Sequence, residues 1–222
     1  MKLLAIDTSS TACSIALLLN EKMIAKHVIS PMQQAQHILP MLKELFEEGN
    51  VSLNQLDAIA FGCGPGSFTG IRIATSVAQA LAFAAQKPLI PISSLAAAAQ
   101  AAYHDHGWEK LIVAFDARIN EVYWGTYTVQ DSVVQLINKE AVTLPTMISL
   151  PNDDSWYGVG NAWEVYQEIP FKPVKIDSNC LPTASAMLTL AKPKFLKQEW
   201  VQAVNATPVY LRDQIAKKQN LV

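Results

Sequence analysis

The chain has 222 residues, half of them hydrophobic, so it is long enough to bury a sizeable core in one domain or in two small ones. Its formal net charge of −2 at pH 7 gives no basic field that would draw nucleic acid by itself. The three cysteines are widely spaced and odd in number, which argues against a disulfide framework or a CxxC zinc site. Asp7 follows the N-terminus too closely for a signal peptide, and no run reaches the roughly 18 apolar residues of a membrane span. We therefore expect a cytoplasmic protein with free, buried thiols.

The two halves of the chain repeat one pattern, in which a buried strand ends in aspartate and is followed by a polar turn and a second strand. The aspartates, Asp7 and Asp116, lie about half the chain length apart. This repetition predicts two similar α/β lobes, residues 1–106 and 107–222, although both aspartates could instead be simple strand-end caps. The second lobe is expected to end in a C-terminal helix that can pack back on the first lobe. The predicted strands are 3–7, 13–18 and 23–29 in the first half, and 112–116, 121–126 and 133–137 in the second.

Helical patterns follow the first three strands. Residues 33–47 have an apolar face at helical spacing, and a glycine and an asparagine stop the pattern. Apolar or small residues nearly surround the predicted helix 69–86, so we expect it to be buried on more than one side, within the chain or at an interface. The remaining predicted elements of this half are strands 58–61 and 89–92 and an alanine-rich helix 93–103.

The second half has weaker patterns. We predict a strand at 142–144, a helix at 145–150 and a strand that enters a glycine turn within 156–162. A further helix is predicted at 184–191, and a terminal segment begins with the proline of 208–212.

The glycine segment, residues 62–73, lies between a predicted strand and a predicted helix. It is neither a Walker A loop nor a Gly-x-Ser-x-Gly nucleophile elbow, and no lysine stands near it. Such a segment can aim backbone amides at an anion near a helix N-terminus, or it can be a rigid packing corner. Its candidate residues are Gly64, Pro65, Gly66, Ser67, Phe68 and Gly70.

Four segments together resemble the TsaB family, also called YeaZ. They are AIDTSSTACSIAL at 5–17, GPGSFTGIRIA at 64–74, DARINEVYWG at 116–125 and PVYLRDQIA at 208–216. They occur in order and span nearly the whole chain. The resemblance implies the actin/Hsp70/sugar-kinase architecture, an α/β fold with two duplicated ribonuclease-H-like lobes, which agrees with the internal repetition.

The resemblance also implies a function. Proteins of this family help to install threonylcarbamoyl (t6A) on the adenosine next to the anticodon of tRNAs that read codons starting with A. In this family the transfer of threonylcarbamoyl is attributed to the paralogous subunit TsaD, and TsaE is an ATPase partner. TsaB is a non-catalytic platform that binds TsaD. A homodimer through the same surface is implied when TsaD is missing, and tRNA is reached indirectly through the complex.

The resemblance places the partner surface on the two helices at 33–47 and 69–85. A large charged residue at Ala74 or Ala78 should then abolish partner binding and leave a folded monomer, whereas an ordinary core helix would unfold. The residues assigned to this surface are His37, Met41, Leu45, Thr69, Arg72, Ile73, Ala74, Val77, Ala78 and Leu81.

No metal or cofactor is expected. The paralogue carries an HxxxH pair that holds a metal on one helix face, but Gln33 stands four residues before His37 here, and a neutral amide is a poor ligand. The sequence His-Asp-His at 104–106 is predicted to be a solvated polar turn in a loop.

An alternative function is an ATP-dependent enzyme of the sugar-kinase type. It would use Asp7 and Asp116 for metal and water, with hydroxyls at Thr8, Ser9 and Ser10 for phosphate. Its only candidate adenosine loop is 158–161, so we interpret the cleft as a degenerate nucleotide site. Arg118, Glu121 and Tyr123 are expected to line the hairpin of the second lobe, with packing or salt-bridge roles.

Overall fold

The computed structural model describes residues 1–151 and 155–212. Within these residues the chain forms two β-sheets with two helices between them. Residues 213–216, the end of the C-terminal motif, lie outside the described residues.

The first sheet has five strands and lies in the first lobe. Strands β1 (Lys2–Asp7), β2 (Ala12–Leu19) and β3 (Lys22–Ile29) form an antiparallel meander. Strands β4 (Ala58–Gly64) and β5 (Leu89–Ser93) continue the sheet in parallel with β1, so the order is β3-β2-β1-β4-β5. The central strands are buried at almost every position, because helices cover both faces of the sheet.

The second sheet repeats the topology of the first. Its strands are β6 (Lys110–Asp116), β7 (Val122–Gln130), β8 (Val133–Leu136), β9 (Ala141–Thr143), β10 (Tyr157–Val159) and β11 (Ile176–Asp177). Read from β8 the order is β8-β7-β6-β10-β11, with β9 pairing to β7 as an addition. Again a meander precedes two parallel strands, so the predicted duplicated α/β architecture is confirmed.

The helices agree with the predicted ones to within a few residues at most ends. Helix α2 ends because Gln86, which was predicted to be helical, adopts a left-handed cap with φ of 53°. The helices are α1 (Gln34–Gly49), α2 (Phe68–Ala85), α3 (Ser94–His106), α4 (Ala162–Val165) and α5 (Ala184–Leu196).

Three predictions on local structure were wrong. The 104–106 segment is the last turn of α3 and not a loop, because the helix continues until Gly107 caps it with φ of 70°. The predicted helix at 145–150 is a single 3-10 turn, Pro145–Met147, after which Ile148 extends the chain and buries its side chain. The helix predicted at 184–191 continues through Pro193 to Leu196 as α5, because the packing of its apolar face outweighs the one hydrogen bond that proline removes.

Helices α3 and α5 form the layer between the sheets. They pack against each other, and both contribute to one core cluster that includes strands of both lobes. Helix α3 presents Ala98 and Ala102 with no exposed surface, which allows backbones to approach closely. Helix α5 belongs to the second lobe, yet its first amide, that of Ala184, donates to Oγ of Ser14 on β2 at 2.9 Å.

Glu140 links the two sheets at one carboxylate oxygen. The hydroxyls of Ser93, at the end of β5, and of Tyr127, on β7, both donate to its Oε1 at 2.5 Å. Tyr127 is almost fully buried, and burial together with the Glu140 charge raises the pKa of its phenol well above 10. The hydroxyl therefore remains a donor, and the bonds to an ionised carboxylate are of the stronger kind.

By length and composition alone, α2 is the one helix among the described residues that could cross a membrane. Its inner face, which includes Ile71, Ala74, Ala78 and Ala82, packs in the core of the first lobe against β4. A core helix can satisfy the same test of length and composition, and the buried residues of α2 pack as in such a helix.

We expect Glu140→Ala to lower the free energy of unfolding by roughly 2 kcal/mol, because two hydroxyls between the sheets would lose an ionised acceptor. Urea unfolding measures the effect. Glu168→Ala, which removes an exposed carboxylate from the same lobe, is the matched control and should change stability by less than about 0.5 kcal/mol. Equal stability of the two variants would contradict a role for Glu140 in joining the sheets.

Candidate functional site

The glycine segment is mostly regular structure. Strand β4 continues through Gly64, only residues 65–67 form a turn, and α2 begins at Phe68. Ser67 caps the helix, since its Oγ accepts from the amide of Gly70 at 3.2 Å. The predicted loop is therefore a tight strand-to-helix connection.

The turn between β1 and β2 is locked onto this connection. The amide of Ser67 donates to the carbonyl of Ser9 at 2.8 Å, and Oγ1 of Thr8 donates to the carbonyl of Gly70 at 2.6 Å. A Cβ at Gly66 would lie 2.4 Å from the Ser9 oxygen, and one at Gly70 would lie 1.9 Å from the Thr8 oxygen. Of the two interpretations of the glycine segment, this geometry favours the packing corner.

Asp7 is enclosed at the end of β1. Its Oδ1 accepts from the amide and the hydroxyl of Ser9 at 3.1 and 3.0 Å, while its Oδ2 has no partner among the described residues. A Cβ at Gly62 would lie only 1.9 Å from Oδ2, so glycine makes room for the carboxyl. Burial raises the pKa of Asp7 from 3.8 to about 6, because the effect of burial is larger than that of the hydrogen bonds from Ser9, which lower the pKa.

Asp116 occupies the equivalent position at the end of β6 but has different neighbours. Its Oδ1 accepts from the hydroxyl of Tyr166 at 2.7 Å and from the amide of Arg118 at 2.8 Å. Its Oδ2 forms an ion pair with the Arg118 guanidinium at 3.2 Å, and Asn161 accepts from its backbone amide. Within the part of the chain that the structure describes, no hydrogen bond or ion pair joins Asp116 to Asp7.

The predicted nucleotide residues thus occupy two separate turns, in which the hydroxyls are bonded but Oδ2 of Asp7 has no partner among the described residues. Thr8 is fully buried and Ser9 is 3% exposed, with the hydroxyl of each donating inside the first lobe. Phosphate could contact them only if the turn and α2 separated.

The hairpin of the second lobe turns through three consecutive left-handed residues, Arg118, Ile119 and Asn120, with φ between 55° and 64°. This conformation is unfavourable for a β-branched side chain such as Ile119, which is also 83% exposed. Glu121 forms an ion pair with Arg212, so both of the predicted charged residues of the hairpin are paired. Tyr123 is partly buried and packs against the central core.

An open apolar groove lies between α1 and α2 and has a volume of about 490 Å³. Leu39 and Phe68 are the exposed apolar side chains of this α1–α2 groove, at 61% and 50% exposure. Arg72 lies at its edge and is exposed. The lining residues are Ala35, Ile38, Leu39, Phe68, Thr69, Arg72, Ile73, Ser76 and Val77.

The residues assigned to the partner surface divide between this groove and the core. Leu45, Ala74 and Ala78 are fully buried in the core of the first lobe and cannot contact a partner, which corrects their assignment. We therefore expect a charge at Ala74 or Ala78 to unfold the chain, as the core alternative predicts. Of the remainder, Thr69, Arg72, Ile73 and Val77 line the groove, whereas His37, Met41 and Leu81 are partly exposed and are not among its lining residues.

Sequence patterns missed several residues. Leu39 was counted only as part of an apolar helix face, and Phe68 only as part of a loop. Tyr166 was not connected with Asp116, because fifty residues separate them and no local pattern relates them.

Metal-ligating side chains do not gather in the described residues. Across residues 1–151 and 155–212, no group of three His, Cys, Asp or Glu side chains is placed to hold a metal ion. His106 is instead paired to Asp177 at 2.8 Å and stacked on Trp108, with ring centres 4.3 Å apart.

Comparison with known proteins gives consistent matches over almost the whole chain. The family model described as TsaD, tRNA N6-adenosine threonylcarbamoyltransferase, matches residues 29–219. The tRNA threonylcarbamoyladenosine biosynthesis protein TsaB of Haemophilus influenzae is 37% identical over 99% of this chain and 97% of its own length. The TsaB protein of Escherichia coli is 34% identical over 99% of this chain and 98% of its own length. The structure of YeaZ from Pseudomonas aeruginosa is 44% identical, covers 95% of this chain and 99% of its own, and superposes with a TM-score of 0.93.

We expect the stability of the chain to fall between about pH 4 and pH 6 through Asp7. Its pKa is higher in the folded chain, at about 6, than the ordinary 3.8, so the folded state binds more protons over this range and rising pH favours unfolding. The loss is roughly 3 kcal/mol and is complete above about pH 7.

Asp7→Asn keeps the acceptor oxygen for Ser9 and removes the charge. The stability of this variant relative to the parent should therefore grow by roughly 3 kcal/mol from about pH 4 to pH 7 in urea unfolding. Asp131→Asn, in the exposed turn between β7 and β8, serves as the matched control. A difference between Asp7→Asn and parent that is constant with pH would contradict the enclosed carboxyl.

Proposed function

The chain belongs to the family of TsaB, the tRNA threonylcarbamoyladenosine biosynthesis protein, and from this we propose that it serves t6A formation as a non-catalytic platform that binds TsaD. The modified position is the adenosine next to the anticodon in tRNAs that read codons starting with A. Its place of action is the cytoplasm, where the tRNA is. The α1–α2 groove is the observation that supports the platform role most strongly.

The groove has the composition of a protein interface. Exposed Leu39 and Phe68 form an apolar centre, and Thr69, Arg72 and Ser76 supply a polar edge. Apolar anchors inside a polar rim are the arrangement found in stable protein–protein contacts. A neighbouring subunit that covers this surface would bury side chains that a monomer leaves in water.

TsaD is the partner that best explains this surface. The family model that describes TsaD matches residues 29–219 of this chain, which include both groove helices, so a TsaD subunit is expected to carry a related helix pair. Two related subunits can pair face to face through related helices, as identical subunits do around a two-fold axis. The same logic gives a homodimer through the groove when TsaD is missing.

The enclosed aspartates support a non-catalytic role. An acid or base that acts on a substrate must reach it, but Asp7 is fully buried and Asp116 is engaged by Tyr166 and Arg118. We assign the transfer step to TsaD and the ATPase step to TsaE. With a net charge of −2, this chain would meet tRNA indirectly, through the assembled complex.

We expect Leu39→Asp to weaken binding to TsaD from the same organism by at least about 30-fold, because it places a charge in the apolar centre of the contact. Isothermal titration calorimetry measures the affinity, and circular dichroism checks the fold. The matched control is Met147→Asp, since Met147 is 63% exposed, close to the 61% of Leu39, and lies outside the groove. Parent-like binding by Leu39→Asp would refute the groove as the TsaD surface.

We expect the double variant Asp7→Asn with Asp116→Asn to support threonylcarbamoyl transfer within about threefold of the parent rate, because neither carboxyl is a catalytic group. Loss of a general acid or base would lower the rate by roughly 10²–10⁴-fold instead. The rate is measured on tRNA with TsaD and TsaE present, and each subunit is also omitted in turn. A double variant that still assembles with TsaD but has lost transfer would show that the cleft is functional.

A further inference from the structure

We infer that the C-terminal strap, residues 203–212, positions the Arg72 and Phe68 side chains at the edge of the α1–α2 groove for a partner that brings a carboxylate to Arg72. The inference rests on the proposed function, because the occupant of the groove is the TsaD subunit proposed above. It adds a positioning element outside the groove and a chemical requirement on the partner.

The strap first runs along one side of α2. Nε2 of Gln79 donates to the carbonyls of Ala203 and Ala206 at 3.2 and 2.9 Å. About two turns earlier on the same helix, Nε of Arg72 donates to the hydroxyl of Tyr210 at 3.0 Å. Residues this far apart share one helix face, so the strap follows α2 in the antiparallel direction.

The strap is then fixed to the glycine segment. The amide of Val209 donates to the carbonyl of Cys63 at 2.8 Å, and a Cβ at Gly64 would lie 3.0 Å from the Val209 oxygen. Gly64 also has φ of +103°, which other residues rarely adopt. Glycine at this position therefore allows the two backbones to lie side by side.

The end of the strap is attached to the second lobe. Nε of Arg212 donates to Glu121 at 2.8 Å, and its Nη2 forms an ion pair with the same carboxylate and donates to the carbonyl of Ala117 at 3.0 Å. The two side chains are only 26% and 33% exposed, so the pair is partly shielded from solvent. The strap thus connects the hairpin of the second lobe to the helix that forms the groove.

Tyr210 is the residue through which the strap reaches the groove. Its ring centre lies 6.2 Å from that of Phe68, and the Arg72 guanidinium carbon lies 3.3 Å above the Phe68 ring and 5.7 Å from the Tyr210 ring. Stacking and the hydroxyl bond together restrict both groove side chains. Side chains held in place before docking lose less conformational entropy when a partner binds.

The position of the Arg72 guanidinium also indicates which group the partner places opposite it. Arg72 uses Nε for Tyr210, and within residues 1–151 and 155–212 its two terminal nitrogens make no hydrogen bond or ion pair. A planar guanidinium with two free donors matches a carboxylate in bidentate geometry. The partner face that fits is therefore apolar, with an aspartate or glutamate opposite Arg72.

The test compares Tyr210→Phe, which removes only the hydroxyl, with Tyr210→Ala, which removes the ring as well. Tyr103→Phe is the matched control, because it deletes a tyrosine hydroxyl that contacts Ser132 away from the groove. Affinity for the TsaD subunit is measured by calorimetry at low and high salt with the full chain. We expect binding to weaken by roughly 5-fold in Tyr210→Phe and roughly 30-fold in Tyr210→Ala, with unchanged thermal midpoints.

Arg72→Ala should remove most of the salt dependence of the dissociation constant, which a merely structural contact would not alter. If both Tyr210 variants bind within about twofold of the parent, the strap has no positioning role and the inference is overturned. If Tyr210→Ala fails to fold, the isosteric Tyr210→Phe decides alone. Leu39→Asp in the same series separates the two proposals. If Leu39→Asp binds TsaD like the parent, the proposed surface is overturned. If Leu39→Asp loses binding while the Tyr210 variants bind like the parent, only the role of the strap is overturned.

Discussion

Close contact between the β1–β2 turn and the glycine segment is the constraint on which the remaining structure depends. Carbonyl and carboxyl oxygens of Asp7, Thr8 and Ser9 occupy the space where side chains at Gly62, Gly66 and Gly70 would project. Because of this contact the first turn of α2 has a fixed position relative to β1. The groove on one side of α2 and the strap on another inherit that position, since both are formed by residues of the same helix.

The residues of helix α2 face three different environments, which are the core, the groove and the strap. Its small residues, such as Ala74 and Ala78, face a core in which β4 approaches closely, while Ile73 and Val77 remain partly open to the groove. The polar residues Arg72 and Gln79 are bonded to the strap. Hydropathy averages these environments into a single value, so the value does not show which residues of the helix pack in the core.

The architecture was largely predictable from the sequence because each lobe begins with a strand pattern that ends in aspartate, and local pairing of neighbouring strands follows from such patterns. The groove was only partly predictable. A helix that is apolar all round, such as α2, does not indicate which side meets the core, so Ala74 and Ala78 could not be separated from Ile73 and Val77. Leu45 lies on the apolar face of α1, and that pattern does not tell whether the face covers a core or a partner. A C-terminal helix that packs back on the first lobe was expected, but residues 203–212 contain only the 3-10 turn Ala203–Asn205. The bond between Arg72 and Tyr210 was not predictable, since these residues are 138 apart and no local pattern relates them.

The shared carboxylate of Glu140 has a mechanical consequence. Kinases that open and close a cleft need lobes that rotate as separate bodies, but here two hydroxyls from different sheets are bonded to one oxygen, and α5 of the second lobe is bonded to β2 of the first. Rotation of one lobe against the other would break the Ser93–Glu140 and Ala184–Ser14 bonds, whereas the Tyr127–Glu140 bond lies within the second lobe. These bonds oppose rotation of the lobes relative to each other. A subunit bound along α1 and α2 would therefore keep a constant angle to any molecule that contacts the second lobe.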